Sequence, residues 1–256
     1  MGAVAVKSHA ESPVAVSRCM NCETALAADQ HFCGHCGQKT SPVRLTMGQV
    51  SHDFIHALTH VDHSIFSLVK DLAWRPGQVA REYVAGKRKK YFGPIAFLMI
   101  SVAVASFMIL LTGVKFFTPI TDSGPAGFLQ RHINLVILIQ MPILTGCCAL
   151  VFWTDRLHYA EHLVLSAYSS GFRILVLGLI ATPVMYFGHV NPADRSFMPA
   201  YYGLWLAYFA VAAVQFYRGG KTWIVVRALV AGILAQAMTV GLIYLFIVAY
   251  AHFEGY

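Results

Sequence analysis

Charge is what this chain most conspicuously lacks. Only 12% of its residues are Asp, Glu, Lys or Arg, against about 25% in an average soluble domain. That shortage argues against an ordinary soluble fold. No carboxylate falls in the middle of any long apolar run, so paired acids for general acid–base chemistry are missing there. No complete catalytic constellation appears elsewhere. Internal repeats are also absent, which counts against an inverted-repeat transporter. No signal peptide is expected before the first cysteines, because Met1 to Ser17 scatters Lys7, His9 and Glu11 without a continuous apolar run. Residues 1–17 read as a disordered tail.

What is present is apolar surface and positive charge. Hydrophobic residues make up 57% of the chain and the net charge is +7; mean hydropathy is +0.58. This is membrane composition, and the chain is expected to fold as an all-α membrane protein. Five spans are expected at about 95–114, 132–153, 163–187, 200–217 and 224–250, each able to cross roughly 30 Å of hydrocarbon. Pro142 is expected to kink the second span, since proline breaks the helical hydrogen-bond ladder, and Pro183 falls near the end of the third span. Cys147 and Cys148 read as small packing residues of the second span.

Cys19-Met-Asn-Cys22 and Cys33-Gly-His-Cys36 form CxxC–x10–CxxC. Four thiolates at this spacing can close a tetrahedral site. The expectation is a structural zinc ribbon over 18–40, folded largely by its metal, with Gly34 and Gly37 easing the turns. The other chemistries such a quartet serves are redox dithiols and rubredoxin-like iron.

Residues 45–93 read as a juxtamembrane helix pair. Met47, Val50, Phe54, Leu58, Val61, Ile65, Leu68 and Leu72 recur at three- and four-residue steps, giving one apolar stripe. It should lie on the membrane surface or pack on the bundle. His52, His56, His60 and His63 fall on the opposite face, as a solvated polar face or a metal- or proton-sensing stripe. Arg75-Pro76-Gly77 breaks this helix. Pro76 suits the start of a second short helix and Gly86 its end. Lys87, Arg88, Lys89 and Lys90 follow at the mouth of the first span. This cationic cluster favours anionic lipid headgroups and a cytoplasmic N-terminus; five spans then put the C-terminus outside. Nucleic acid is not the expected partner, because the charge hugs the first span and no reading helix accompanies it.

Two intramembrane features carry chemistry. His158, His162, Ser166, Ser169 and Arg173 form a polar stripe along the third span, expected to lead inward from the cytoplasmic edge. Arg173 lies deep in that span, where an ionisable group is costly and by default functional. It reads either as an anion or lipid-headgroup site or as an arginine satisfied by carbonyls that pins the bundle. His158-Tyr-Ala-Glu161-His162 also matches H-x-x-E-H, a pattern in which two histidines hold zinc and a glutamate acts as base. A third protein ligand is expected for such a site, and no acid downstream is placed to supply one.

Several blocks resemble the bacterial membrane family called domain of unknown function 3667: CxNC…FCxxCGQK (Cys19, Asn21, Cys22, Phe32, Cys33, Cys36, Gly37, Gln38, Lys39), RPG…Y..GKR..Y..P (Arg75, Pro76, Gly77, Tyr83, Gly86, Lys87, Arg88, Tyr91, Pro94) and Tyr159 to Leu163. The resemblance implies a zinc ribbon on a multi-span domain of the bacterial inner membrane, with no activity attached. The expected function is therefore non-catalytic docking, assembly or regulation through a protein partner at the ribbon. The alternatives are transport or lipid and anion handling around Arg173, and a metalloenzyme at His158, Glu161 and His162.

Overall fold

The computed structural model describes residues 17–27, 30–40, 47–48, 64–116, 124–190 and 197–253. The expected tail, apart from Ser17, and the His52, His56, His60 and His63 stripe lie outside the described residues. The described chain opens on two antiparallel two-residue strands, β1 (Ser17–Arg18) and β2 (Ala25–Leu26). Helices α1 (Ser64–Trp74) and α2 (Pro76–Val84) precede α3 (Pro94–Thr112). Then come α4 (Pro125–Arg131), α5 (Ile133–Val151), α6 (Tyr159–Val176), α7 (Thr182–Phe187), α8 (Phe197–Phe216) and α9 (Lys221–Phe253).

Five helical stretches are long and apolar enough to cross a membrane: Pro94–Thr112, Ile133–Val151, Tyr159–Phe187, Phe197–Phe216 and Lys221–His252. They coincide with the five expected spans, with the third starting four residues earlier than read because a cap at His158 adds a polar first turn. Helix α4 was not anticipated; its seven residues start on a proline at the first helical position, a signal masked by the apolar run beside it. Helix α5 continues through Pro142. At Pro183 the chain behaves differently. Proline has no N–H for the carbonyl four residues back and its ring crowds that carbonyl. Here α6 widens into a π turn over Leu177–Ala181 before α7 resumes, and Thr182 Oγ1 donates to the Leu177 carbonyl at 2.8 Å.

The helix from Tyr159 to Phe187 is the centre of the bundle. In its most apolar window 72% of residues are buried, against 22–39% in the other four spans, whose outward faces are left for lipid. Helix α3 runs parallel to it: Gly171 lies against Phe97 and Leu98, and Gly178 against Ala105. A Cβ on Gly178 would stand 2.6 Å from Ala105 Cα, so the small residue is what lets the backbones approach. The molecule thus has two ends. At one, α3 and α6 begin and α5 and α8 finish; at the other, α3 finishes and α5 and α8 begin.

Helices α1 and α2 pack on this bundle. Leu68, Leu72, Val79, Ala80 and Tyr83 are all buried in the main core, while Phe66 and Trp74 are exposed. Arg81 donates to the carbonyls of Phe216 and Tyr217 at 2.8–3.1 Å, satisfying the last, otherwise unpaired, carbonyls of α8. Arg227 does the same for α5, donating to the Val151 carbonyl at 2.6 and 2.9 Å while lying 4.3 Å over the Phe152 ring.

Candidate functional site

The four cysteines stand on two similar turns. Cys19 N–H bonds Thr24 O at 2.9 Å and Cys33 N–H bonds Gln38 O at 2.8 Å, each closing a loop around its CxxC. Both turns have a left-handed fifth residue, counting the first cysteine as one: Glu23 at φ 62° and Gly37 at φ 68°. Gly37 is therefore the required glycine, whereas Gly34 has open space around it and an unexceptional φ. The sulfurs of Cys19 and Cys36 are 3.6 Å apart and those of Cys22 and Cys33 3.5 Å; all four lie within 4.8 Å of one another. Tetrahedral ligation at about 2.3 Å per sulfur puts sulfurs about 3.8 Å apart, so the quartet fits one such ion. The thiols themselves are differentiated: the Thr24 hydroxyl and backbone hold Cys22 down at about 5, and burial pushes Cys36 up to about 11. A bound metal would override both, since ligation requires thiolates.

The cluster is seated on the segment between α2 and α3. Gln38 Nε2 donates to Gly86 O at 2.6 Å, and its Oε1 accepts from the Arg88 and Lys89 N–H groups at 3.2 and 3.3 Å. Asn21 Oδ1 accepts the Lys90 N–H at 3.1 Å. Gly86 is left-handed (φ 108°), and a Cβ there would meet the Met20 sulfur at 2.8 Å. One amide from each half of the quartet thus grips the backbone of the basic loop. Lys89 and Lys90 remain exposed, and Lys87 and Arg88 are half-buried. Residues 62–106 match the family described as Protein of unknown function (DUF3667). The DUF3667 match takes in α1, α2, the gripped loop and most of α3, and stops short of the cysteines on the other side of the contact. No curated protein and no solved structure matches the chain.

Within that DUF3667 stretch Glu82 holds the loop from below. It accepts Lys90 Nζ at 2.9 Å and Tyr91 O–H at 2.7 Å, with Arg75 at 4.0 Å. Burial works to raise its pKa, but the bonds from Lys90 and Tyr91 outweigh it and hold the carboxyl below its usual 4.5. A depressed carboxyl stabilises the fold above its unfolded value, and the contribution is lost as pH falls through the lower folded value. Glu82→Gln is therefore expected to lower stability by about 1 kcal/mol at pH 7. The difference from wild type should shrink as pH falls below the unfolded carboxyl value of about 4.3; a difference that stays constant in thermal unfolding from pH 7 to well below that value would contradict it.

The H-x-x-E-H residues are placed differently from a metal site. Glu161 accepts the His158 N–H at 2.8 Å, which caps α6. His162 is buried, its Nδ1 2.8 Å from Tyr217 O–H, and Tyr217 stacks flat on Phe152 at 3.7 Å. Among the described residues the cysteine quartet is the one group of three or more such donors gathered within ligand reach. Ser166 and Ser169 are buried further along α6, with Ser169 Oγ donating to Leu165 O at 2.6 Å.

Arg173 lies roughly 21 Å along the helix from Tyr159. It donates to Gln140 Oε1, and Gln140 Nε2 donates to Gln236 Oε1 at 2.7 Å. Its guanidinium lies 4.7 Å over Trp205 and 5.9 Å over Tyr201. Beside it is a cavity of about 330 Å³. The cavity is lined by Phe116 after α3, Ile133 at the start of α5 and Phe197 at the start of α8, so it belongs to the end away from the cysteines. None of His158, His162, Ser166 and Ser169 lines it. The polar stripe thus does not line a path to this cavity: His158 starts the helix at the surface, His162, Ser166 and Ser169 are buried in packing, and of the five only Arg173 borders the cavity. Gln140 and Gln236 were foreseeable partners. Trp205 and Tyr201 were not, because nothing local ties a residue near the start of α8 to one deep in α6.

Proposed function

We propose that this chain is a multi-pass protein of the cytoplasmic membrane whose cysteine quartet holds structural zinc, and that it acts without catalysis, as a docking or assembly platform. The observation that carries this is the grip of Asn21 and Gln38 on residues 86–90. It joins the metal knuckle and the lysine-rich loop into a single rigid surface, a form suited to recognising a partner beside an anionic membrane. The orientation follows from charge: the basic loop, Arg156, Arg218 and Lys221 share the cysteine end, which the positive-inside rule puts in the cytoplasm. Trp153 and Trp223, exposed at the same end, suit an interfacial aromatic belt. The metalloenzyme reading gains no support, since Glu161 and His162 are already engaged.

The test uses the double variant Asn21→Ala/Gln38→Ala, which leaves the cysteines intact. Protein partners captured by in-cell crosslinking through Lys89 should be lost in the variant while its metal content stays at the wild-type value. Partners retained unchanged in a variant whose loop amides 86–90 exchange faster would defeat the platform reading.

A further inference from the structure

Arg173 is 7% exposed, and its surroundings leave its guanidinium short of acceptors. An arginine offers five N–H donors in one plane and no acceptor. Gln140 takes one of them; Nε is buried with no hydrogen-bond partner. Trp205 and Tyr201 cover the face of the group, where ring contact is favourable, but a ring face cannot absorb the in-plane donors. No carboxylate is among the residues lining the cavity. A buried cation in this state is expensive and is relieved by an anion that accepts two parallel N–H bonds, a geometry carboxylates and phosphates share.

What surrounds the guanidinium says more about the rest of the ligand. Apart from Arg173 and the amides of Gln140 and Gln236, the cavity wall is largely apolar or aromatic, including Ile137, Met198 and Val240. It adjoins a second hollow of about 650 Å³ between α8 and α9, with which it shares Tyr202, Gln236 and Val240. This outer hollow is lined almost wholly by apolar and aromatic side chains and is bordered by Trp205, the ring that stacks on Arg173. Its outer rim carries Gly241, where a Cβ would meet nothing within 4 Å, and Tyr244, which is exposed. A polar head at Arg173 could therefore continue into a tail lying along the α8–α9 groove, facing lipid.

We propose that Arg173, Gln140 and Gln236 bind the carboxylate or phosphate head of a single-tailed anionic amphiphile, whose tail lies in the groove between α8 and α9. The site is at the end of the bundle opposite the cysteines and is independent of the knuckle. The head is recognised by the unpaired N–H groups of Arg173. The amide pair Gln140–Gln236 fixes the guanidinium from the other side, and Trp205 excludes water from its face.

The experiment titrates the full-length protein, purified in a maltoside detergent, with dodecyl phosphate and follows thermal unfolding. Dodecyltrimethylammonium and inorganic phosphate are the comparison probes. Dodecyl phosphate is expected to raise the midpoint in a saturable way, with both comparison probes at least tenfold weaker. Arg173→Gln should weaken dodecyl phosphate at least tenfold, because it removes a charge-assisted pair. Gly241→Phe fills the groove from a position with room for a side chain, so it should fold and should also weaken dodecyl phosphate. It keeps the test decisive if Arg173→Gln does not fold. Equal response to the cationic probe, inorganic phosphate binding as tightly as the amphiphile, or titrations unchanged in Gly241→Phe would each overturn the proposal.

Discussion

Cys33→Ser is expected to empty the cysteine quartet and unfold the knuckle while leaving the helical bundle in place. The core of residues 17–40 consists of Cys19, Leu26 and Cys33, with Cys22 and Cys36 packed beside them. Among the described residues there, Leu26 is the one buried apolar side chain besides the cysteines. Two-residue strands add little, and ordering each residue costs about 1–2 kcal/mol of backbone entropy. A zinc ion of the kind proposed above contributes about 10–16 kcal/mol in comparable small sites, far more than one buried leucine can. Metal analysis should fall from one ion per chain to near zero, and limited proteolysis should open sites within 17–40. Loss of the knuckle also removes Asn21 and Gln38 from the loop, so the amides of Arg88, Lys89 and Lys90 should exchange faster. A metal-free protein with the knuckle still protected would refute this account.

Gly77→Ala should be the most damaging single methyl in the bundle. A Cβ at position 77 would stand 1.9 Å from the Ala212 carbonyl oxygen, 2.6 Å from Gln215 Cβ and 2.8 Å from the Phe216 nitrogen. Two of these atoms belong to the backbone of α8, which cannot rotate away as a side chain would. The same glycine donates its N–H to Gln215 Oε1 at 3.0 Å. Relieving the clash means lifting α2 from α8, which breaks that bond, pulls Arg81 off the end of α8 and uncovers Val79, Ala80 and Tyr83. Overpacking alone typically costs about 1–3 kcal/mol, and the coupled losses put this variant beyond that range. The expected result is little folded protein recovered in detergent, or a thermal midpoint lowered by many degrees. A midpoint within about 2 °C of wild type would show that α2 is not wedged there.

The spans were legible in the sequence because lipid demands long, uninterrupted apolar helices, and that demand is local. The quartet was legible for a similar reason: two thiols three residues apart can reach one ion whatever lies around them. The contacts that define the site were not. Asn21 and Gln38 sit inside conspicuous motifs, yet their partners lie 69 and 48 positions away, and no periodicity announces an amide that grips a loop. Glu161 is ambiguous in the sequence for the opposite reason. H-x-x-E-H at a helix start looks like a ligand set, but a glutamate three residues beyond the cap position is also what closes a helix end. Arg173 stands out in the sequence by cost alone, while the end of the bundle it faces depends on the tertiary placement of α8. Widening of the helix before Pro183 likewise needed Thr182 to be seen turning back to Leu177.

Helix α9 runs from Lys221 to Phe253, about 50 Å at 1.5 Å per residue. A hydrocarbon layer of about 30 Å would absorb that length only at a tilt of about 50°, steeper than the 0–40° range spanning helices adopt. Arg227 pins its first turns to the end of α5, so the surplus is delivered to the opposite side. A bilayer of that thickness would leave the surplus at the end where α4 packs on α9, with the Phe128 ring 5.4 Å from Phe246 and 6.3 Å from Tyr250, so α4 braces the part of α9 that the hydrocarbon layer cannot cover.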